Sequence, residues 1–132
     1  MIIRNLIALV VGLIAAIAVT YILQIIVGML FPPPAGLDFN NPEAIKQYVS
    51  NLPSIAILLV LIGYIIAYFI GGFIVARISG GNSALPLILG AVGTLFWILN
   101  IWMIPHPLWA TLAGFICFIP PALLGSRTGQ RR

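Results

Sequence analysis

Residues 54–78 read SIAILLVLIGYIIAYFIGGFIVARI, and the only charged side chain in this stretch is Arg77, close to its end. A helix needs about 20 apolar residues to cross the roughly 30 Å hydrocarbon core of a bilayer. The stretch meets that requirement, so it predicts a membrane-spanning helix. Three further stretches of similar character lie before and after it, at about residues 3–31, 84–104 and 107–124.

Proline and glycine separate the four stretches. Pro32, Pro33 and Pro34 end the first, because proline has no amide proton and disfavours helix in the residue before it. Residues 79–83 and 105–107 hold the breakers between the later spans. A secretory signal peptide is the alternative for the first stretch. Its apolar run continues well past Ala18 and is longer than the core of a signal peptide, so we predict a true membrane span. Short connections favour antiparallel neighbours. The prediction is an all-α membrane protein with one transmembrane domain, residues 1–132, and four helices in an up-down bundle.

Composition agrees with this assignment. The chain has 132 residues, of which 62% are hydrophobic and only 6% are charged. A soluble domain carries about 25% charged residues to solvate its surface. This chain carries far fewer, so we predict that the lipid bilayer surrounds it and is its partner. The formal net charge is +4, but the charges are scattered between the ends of segments. Because phosphate binding needs a continuous basic face, we predict no nucleic-acid partner.

Basic residues predict the orientation. With the N-terminus inside, five of the six Lys and Arg residues fall inside and Lys46 alone falls outside. The inside set is Arg4, Arg77, Arg127, Arg131 and Arg132. Short cytoplasmic loops are enriched in such residues and tryptophan favours the interfaces, and Trp97, Trp102 and Trp109 all fall toward the predicted outer side. We therefore predict a plasma (bacterial inner) membrane protein with both termini in the cytoplasm.

The loop between the first two spans predicts a short amphipathic helix. Asn41 is a capping residue, Pro42 suits the first helical position and Glu43 suits the positive end of the helix dipole. Apolar side chains then recur at helical spacing, at Ile45, Tyr48, Val49 and Leu52. Such a helix lies at the outer membrane interface. It either caps the bundle structurally or binds a partner.

Small residues recur along the spans and predict packing seams. The seam positions are Ala8, Gly12 and Ala16 in the first span, Gly63, Ala67 and Gly71 in the second, Gly90 and Gly93 in the third, and Ala110 and Gly114 in the fourth. Small side chains let membrane helices approach closely. A seam of this kind packs helices within one chain or joins two protomers, and the sequence leaves both interpretations open.

The inventory of reactive side chains is small. No Asp, Glu, Lys or His lies in the middle of a span, whereas coupled transporters and membrane proteases need such groups. His106 has no second metal ligand near it in sequence and reads as a turn residue. Pro120-Pro121 marks a kink in the fourth span, or less commonly an ion site. We predict no enzyme activity, no metal site and no cofactor.

Four polar side chains within the spans remain, and they carry the functional alternatives. They are Gln24, Tyr64, Tyr68 and Asn100. They either hydrogen-bond neighbouring helices or form a polar pocket or path. The leading hypothesis is a non-enzymatic accessory or scaffolding subunit that binds other membrane subunits or copies of itself. The second is an oligomeric channel or uncoupled carrier for a small or apolar solute. The third is a lipid- or pigment-binding protein.

Overall fold

A computed structural model describes residues 2–33, 35–82, 84–103 and 106–130, and this part of the chain is helical without a strand. Six helices follow in order: α1 (Ile2–Leu30), α2 (Pro42–Ser50), α3 (Ser54–Ser79), α4 (Ala84–Met103), α5 (Leu108–Gly114) and α6 (Ile119–Gly129). In this part of the chain, four segments are long and apolar enough to cross a membrane, namely α1, α3, α4 and the α5–α6 segment Leu108–Gly129. Membrane-spanning helices are thus confirmed by length and composition. The predicted end of the third span at residue 104, and Arg131 and Arg132, lie outside the described residues.

Helix α3 is the central element, and α1 and α6 both pack along it. Contacts between α1 and α3 run in reverse order along the chain: Arg4 meets Ile78, Gly12 approaches Gly71, and Leu23 lies beside Gly63. The two helices are therefore antiparallel. Helix α4 packs mainly on α6. All ten predicted seam positions, Ala8, Gly12, Ala16, Gly63, Ala67, Gly71, Gly90, Gly93, Ala110 and Gly114, are buried within the single chain.

Helices α3 and α6 approach each other closely. A β-carbon on Gly72 would overlap the carbonyl group of Ala122, and one on Gly125 would overlap the carbonyl group of Phe69. Both overlaps involve backbone, which cannot move aside as a flexible side chain can. Because lipid supplies no hydrophobic drive for helix association, close backbone approach of this kind is a main source of attraction.

The fourth span is broken in its middle, which differs from the single predicted helix over 107–124. Helix α5 ends at Gly114 and α6 begins at Ile119, continuing to Gly129. Between them, Ile116 N donates to Ala113 O at 3.1 Å and Cys117 N donates to Gly114 O at 3.2 Å, the tighter spacing of a 3₁₀ turn. Pro120 and Pro121 explain the break, because neither can donate the amide that a continuous helix requires. The expected kink is thus an interruption.

Helix α2 begins as the sequence predicts. Asn41 Oδ1 accepts a hydrogen bond from Glu43 N at 3.1 Å, and Pro42 occupies the start of the helix. The capping prediction is confirmed. Lys46 Nζ lies 3.8 Å from Glu43 Oε1 on the solvent-facing side. On the other side, Tyr48 Oη donates to the carbonyl of Phe31 at 3.3 Å, which ties α2 to the end of α1.

Arg4 joins the start of α1 to the end of α3. Its Nε donates to Ile78 O at 2.6 Å, and its guanidinium lies against Gly80, which ends α3 in the left-handed conformation with φ 78°. The last carbonyls of a helix have no partner within the helix and carry the negative end of its dipole. Arg4 therefore caps α3 from a neighbouring helix. We call the end of the molecule that holds Arg4, Arg77 and Gly80 the arginine end, and the end that holds α2 and His106 the loop end.

Replacing Arg4 by glutamine should lower the free energy of unfolding by about 1 kcal/mol, the contribution of one partly solvated charge-assisted hydrogen bond. Unfolding of the purified protein in mixed micelles, titrated with dodecyl sulfate and followed by circular dichroism, measures the change. Arg127→Gln is the matched control, because Arg127 is exposed in the last turn of α6. Equal losses in the two variants would show that the Arg4 contact contributes no more than a surface charge.

Candidate ligand-binding cleft

A cavity of about 250 Å³ lies between α1, α3, α4 and the break in the fourth span. We call it the central cavity. Its lining residues come from all four spans and are Ile17, Thr20, Tyr21, Gln24, Tyr64, Tyr68, Gly93, Phe96, Trp97, Asn100 and Phe118. Tyr68 and Gly93 sit near the middle of α3 and α4, so the cavity reaches the centre of the apolar layer.

The structure brings the four polar residues of the sequence analysis together around this cavity. Gln24 comes from α1, Tyr64 and Tyr68 from α3, and Asn100 from α4. The two tyrosines are four residues apart, so they project from the same face of α3. This placement shows proximity. That these residues act as a binding site stays a prediction.

The hydrogen bonding of the four residues is incomplete. Gln24 Nε2 donates to Tyr64 Oη at 3.3 Å. Within the described part of the chain, the side chains of Tyr68 and Asn100 form no hydrogen bond. Tyr68 is only 4% exposed. Every fully inaccessible side-chain oxygen or nitrogen among the described residues has a hydrogen-bond partner, so the Tyr68 oxygen, which has none, must keep some accessible surface. The Tyr68 hydroxyl is therefore open to the cavity, with its capacity to donate and accept unused.

Aromatic rings form one wall of the cavity. Phe118, at the break in the fourth span, packs against Tyr68 with ring centroids 5.0 Å apart and against Tyr64 at 5.2 Å. Trp97 lies 6.1 Å from Tyr64 in an edge-on arrangement. These distances are typical of attractive aromatic pairs. The break thus contributes an aromatic side chain to the floor of the cavity.

Trp97 differs from the expectation that it faces the outer interface. It is 3% exposed, and its Nε1 donates to Thr111 O at 3.2 Å. The ring fits because Gly114 has no β-carbon, which would overlap the indole. Trp102 and Trp109 are exposed, as interfacial residues require. A small residue on the neighbouring span thus admits the Trp97 ring to the core, while the outer-side position of the three tryptophans stays a prediction.

A second cavity of about 320 Å³, the outer cavity, extends toward the loop end. It shares Gln24, Tyr64, Trp97 and Asn100 with the central cavity, so the two cavities adjoin each other. Its remaining lining residues include His106 and, from α2 and the following turn, Tyr48, Val49 and Leu52. His106, expected to be a solvated turn residue, is half-buried and packs on Trp97 at 5.1 Å between centroids.

No Asp, Glu, Lys or Arg lines either cavity, as far as the described residues extend. The same part of the chain contains no group of three His, Cys, Asp or Glu side chains that could hold a metal ion. An isolated charge in the central cavity would have no oppositely charged partner among the described lining residues, at a cost of several kcal/mol by burial alone. We call the two adjoining cavities together the cleft. Its lining therefore favours an uncharged molecule with hydrogen-bonding groups.

The arginine end of the molecule is tightly packed by comparison. Gly12 approaches Gly71 and Val75, and Gly90 lies against the backbone of Ile119. Together with the α3–α6 contact, these glycines leave little space below the central cavity. The central cavity is therefore closed toward the arginine end.

Sequence reasoning missed the apolar part of the lining. Phe96, Trp97 and Phe118 resemble every other large residue in an apolar span, so no local pattern distinguishes them. Thr20 offers a weak signal, because it precedes Gln24 by one helical turn and thus shares its face. Only the relative placement of the four spans identifies the remainder.

Comparison of the chain with protein-family models, with curated proteins and with solved structures found no match.

Proposed function

We propose that this chain is a non-enzymatic membrane protein that binds a small uncharged molecule in the cleft between α1, α3 and α4. The observation that supports this function is the unused hydrogen-bonding capacity of Tyr68 and Asn100 around a single cavity. Polar side chains in an apolar layer are costly unless they are satisfied. A bound molecule with hydrogen-bonding groups would satisfy both residues.

The size and composition of the cleft fit this function. Ligand sites are concave, mostly apolar, and contain a few placed polar groups. The adjoining central and outer cavities have that character, with apolar and aromatic walls around Gln24, Tyr64 and Asn100. Among the described residues, no carboxylate lines either cavity. Binding without chemistry is therefore the best-supported function.

The membrane arrangement is part of the proposal. We infer an up-down bundle in the plasma (bacterial inner) membrane, with both termini in the cytoplasm and α2 at the outer interface. The excess of basic residues near the arginine end supports this orientation. The apolar face of α2 covers the outer cavity, as an interfacial helix would do. In this orientation the cleft opens toward the outer leaflet.

The accessory-subunit hypothesis loses part of its support. It rested on small-residue seams that can join protomers. The ten seam positions are buried inside one chain, so they are already used for internal packing. Assembly with other subunits, or with copies of the chain, would have to use other surfaces.

Native mass spectrometry of the gently solubilised protein tests the proposed function. We expect the mass of the chain plus one small neutral molecule. Gln24→Leu should reduce its occupancy, because the variant replaces an amide in the cleft and breaks the hydrogen bond to Tyr64. Asn5→Leu, a polar-to-apolar change near the other end of α1, should retain the molecule. A bare chain in every preparation, or a stable heteromeric mass without a small molecule, would contradict the proposal.

A second candidate function is uncoupled transport of the same molecule, and the broken fourth span favours it. Interrupted helices at the middle of the membrane recur at the substrate sites of transporters, and Phe118 at the break lines the cavity. Flux of the identified molecule into liposomes, lost on Tyr64→Leu, is the expected result of transport. Binding without flux would leave a binding protein.

A further inference from the structure

We propose that the ligand of the central cavity is an uncharged amphiphile dissolved in the bilayer, and that it enters sideways between α1 and α4. This inference rests on the proposed ligand-binding function and adds the class of ligand and its route. It is supported by the exposed edge of the cavity, the cover over its outer end, and the chemistry of its lining.

The central cavity has an exposed edge between two spans. Tyr21 of α1 is 67% exposed and Phe96 of α4 is 50% exposed, and both line the cavity. Side chains exposed at this depth of a membrane-spanning segment face acyl chains. Helix α1 packs mainly on α3 and only weakly on α4. The gap between α1 and α4 is therefore an opening toward lipid.

The route from water is covered. Tyr48, Val49 and Leu52 place the apolar side of α2 and its following turn over the outer cavity. The hydrogen bond from Tyr48 Oη to Phe31 O fastens this helix to the end of α1. On the side that α2 covers, a solute arriving from water would have to displace this helix. A molecule arriving from the outer leaflet would not.

The lining selects an uncharged head group on an apolar chain. Tyr64, Tyr68 and Asn100 together can donate and accept hydrogen bonds, but none can neutralise a charge. A phospholipid head would leave its phosphate without a cation in the described lining of the central cavity, because His106 lines only the outer cavity. The ligand head therefore lies among these three side chains, and its chain leaves between Tyr21 and Phe96. Acylglycerols, fatty alcohols and isoprenoid quinones share this chemistry.

Fluorescence of Trp97 offers a direct readout, because this residue lines both cavities. The double variant Trp102→Phe/Trp109→Phe leaves Trp97 as the only tryptophan of the three, and both replaced side chains are exposed. The full-length variant is placed in phosphatidylcholine vesicles containing brominated monooleoylglycerol, whose bromine atoms quench indole on contact. Dibrominated phosphatidylcholine at the same mole fraction reports contact with bulk lipid.

We expect saturable quenching by brominated monooleoylglycerol, severalfold above that by the brominated phospholipid. Unlabelled monooleoylglycerol should reverse it, and glycerol, which has the same head without a chain, should not. Reversal by a fatty alcohol then shows that the site accepts this second class of uncharged amphiphile, and an isoprenoid quinone, which itself quenches indole, is compared by its adduct in native mass spectra. Reversal by glycerol would place the entrance in water and overturn the inference, while the proposed binding function would stand. Equal quenching by the phospholipid would overturn the uncharged class.

A pair of variants tests the opening itself. Thr20→Phe places a ring in the central cavity beside the gap and should reduce saturable quenching at least severalfold. Ile22→Phe adds a ring at an exposed position on the same helix that does not line the cavity and should leave it unchanged. Circular dichroism checks that both variants fold. If Thr20→Phe folds and binds as well as the parent, the sideways route is wrong. If no brominated probe quenches Trp97 specifically and native mass spectra show no bound molecule, the proposed function fails as well.

Discussion

Replacing Gly72 by alanine should destabilise the protein by about 3 kcal/mol or more, the upper range for inserting atoms into a packed core. The added β-carbon would overlap the backbone of Ala122, so α3 and α6 would have to separate along their whole contact. Gly125→Ala should act in the same way against the backbone of Phe69. Titration with dodecyl sulfate in mixed micelles, followed by circular dichroism, measures the loss.

Gly28→Ala is the matched control for this prediction. No atom lies within 4 Å of a β-carbon built on Gly28, so the same change of residue meets open space. Alanine also favours the helix over glycine, and the stability of this variant should be unchanged or slightly raised. A Gly72→Ala protein as stable as Gly28→Ala would show that α3 and α6 do not approach as closely as described.

The double variant Tyr68→Phe/Asn100→Leu should bind the cleft ligand about a hundredfold more weakly, if each lost hydrogen bond contributes about 1.4 kcal/mol, a factor of ten. Its stability should be equal to or higher than that of the parent, because neither side chain has a hydrogen-bond partner in the described part of the chain. Occupancy in native mass spectra, measured while ligand is added back to stripped protein, gives the affinity. Unfolding in dodecyl sulfate gives the stability.

These two readouts separate a binding site from ordinary helix packing. Gln24→Leu removes a side chain that does have a partner, so it should lower stability by about 0.6 kcal/mol, the average for a hydrogen bond between membrane helices. If Tyr68→Phe/Asn100→Leu instead lowers stability and leaves occupancy unchanged, the two polar groups serve packing. The proposed function would then lose its main support.

Much of the fold could be predicted because lipid imposes strong rules on a sequence. The length of each apolar run and the breakers between runs locate the spans to within a few residues at most ends, as Pro32 and Gly80 show. The polar residues that line the cleft were also recognisable, because Gln24 and Asn100 contrast with their apolar neighbours. Sequence could not show that they meet, since that depends on the rotation and spacing of three helices.

Other features depend on contacts that a single sequence does not display. The break in the fourth span occurs before Pro120, where α6 begins with its own first turn, and the apolar pattern alone does not separate this outcome from a kink. Trp97 enters the core only because Gly114 lies opposite it. The weak contact between α1 and α4 follows from their main packing partners, which are α3 for α1 and α6 for α4.

The interruption between α5 and α6 also affects how the chain is made. A bilayer accepts a helix as an independent unit when its own backbone hydrogen bonds are complete. The last span is the least apolar of the four and consists of pieces of 7 and 11 residues, each too short to cross alone. Because α3 is synthesised earlier and supplies the surface on which α6 packs, we expect the C-terminal segment to insert stably only after α3 is in place. Biogenesis of this protein therefore depends on the order in which its helices assemble. A destabilising substitution in α3 should first cause the C-terminal segment to insert incorrectly.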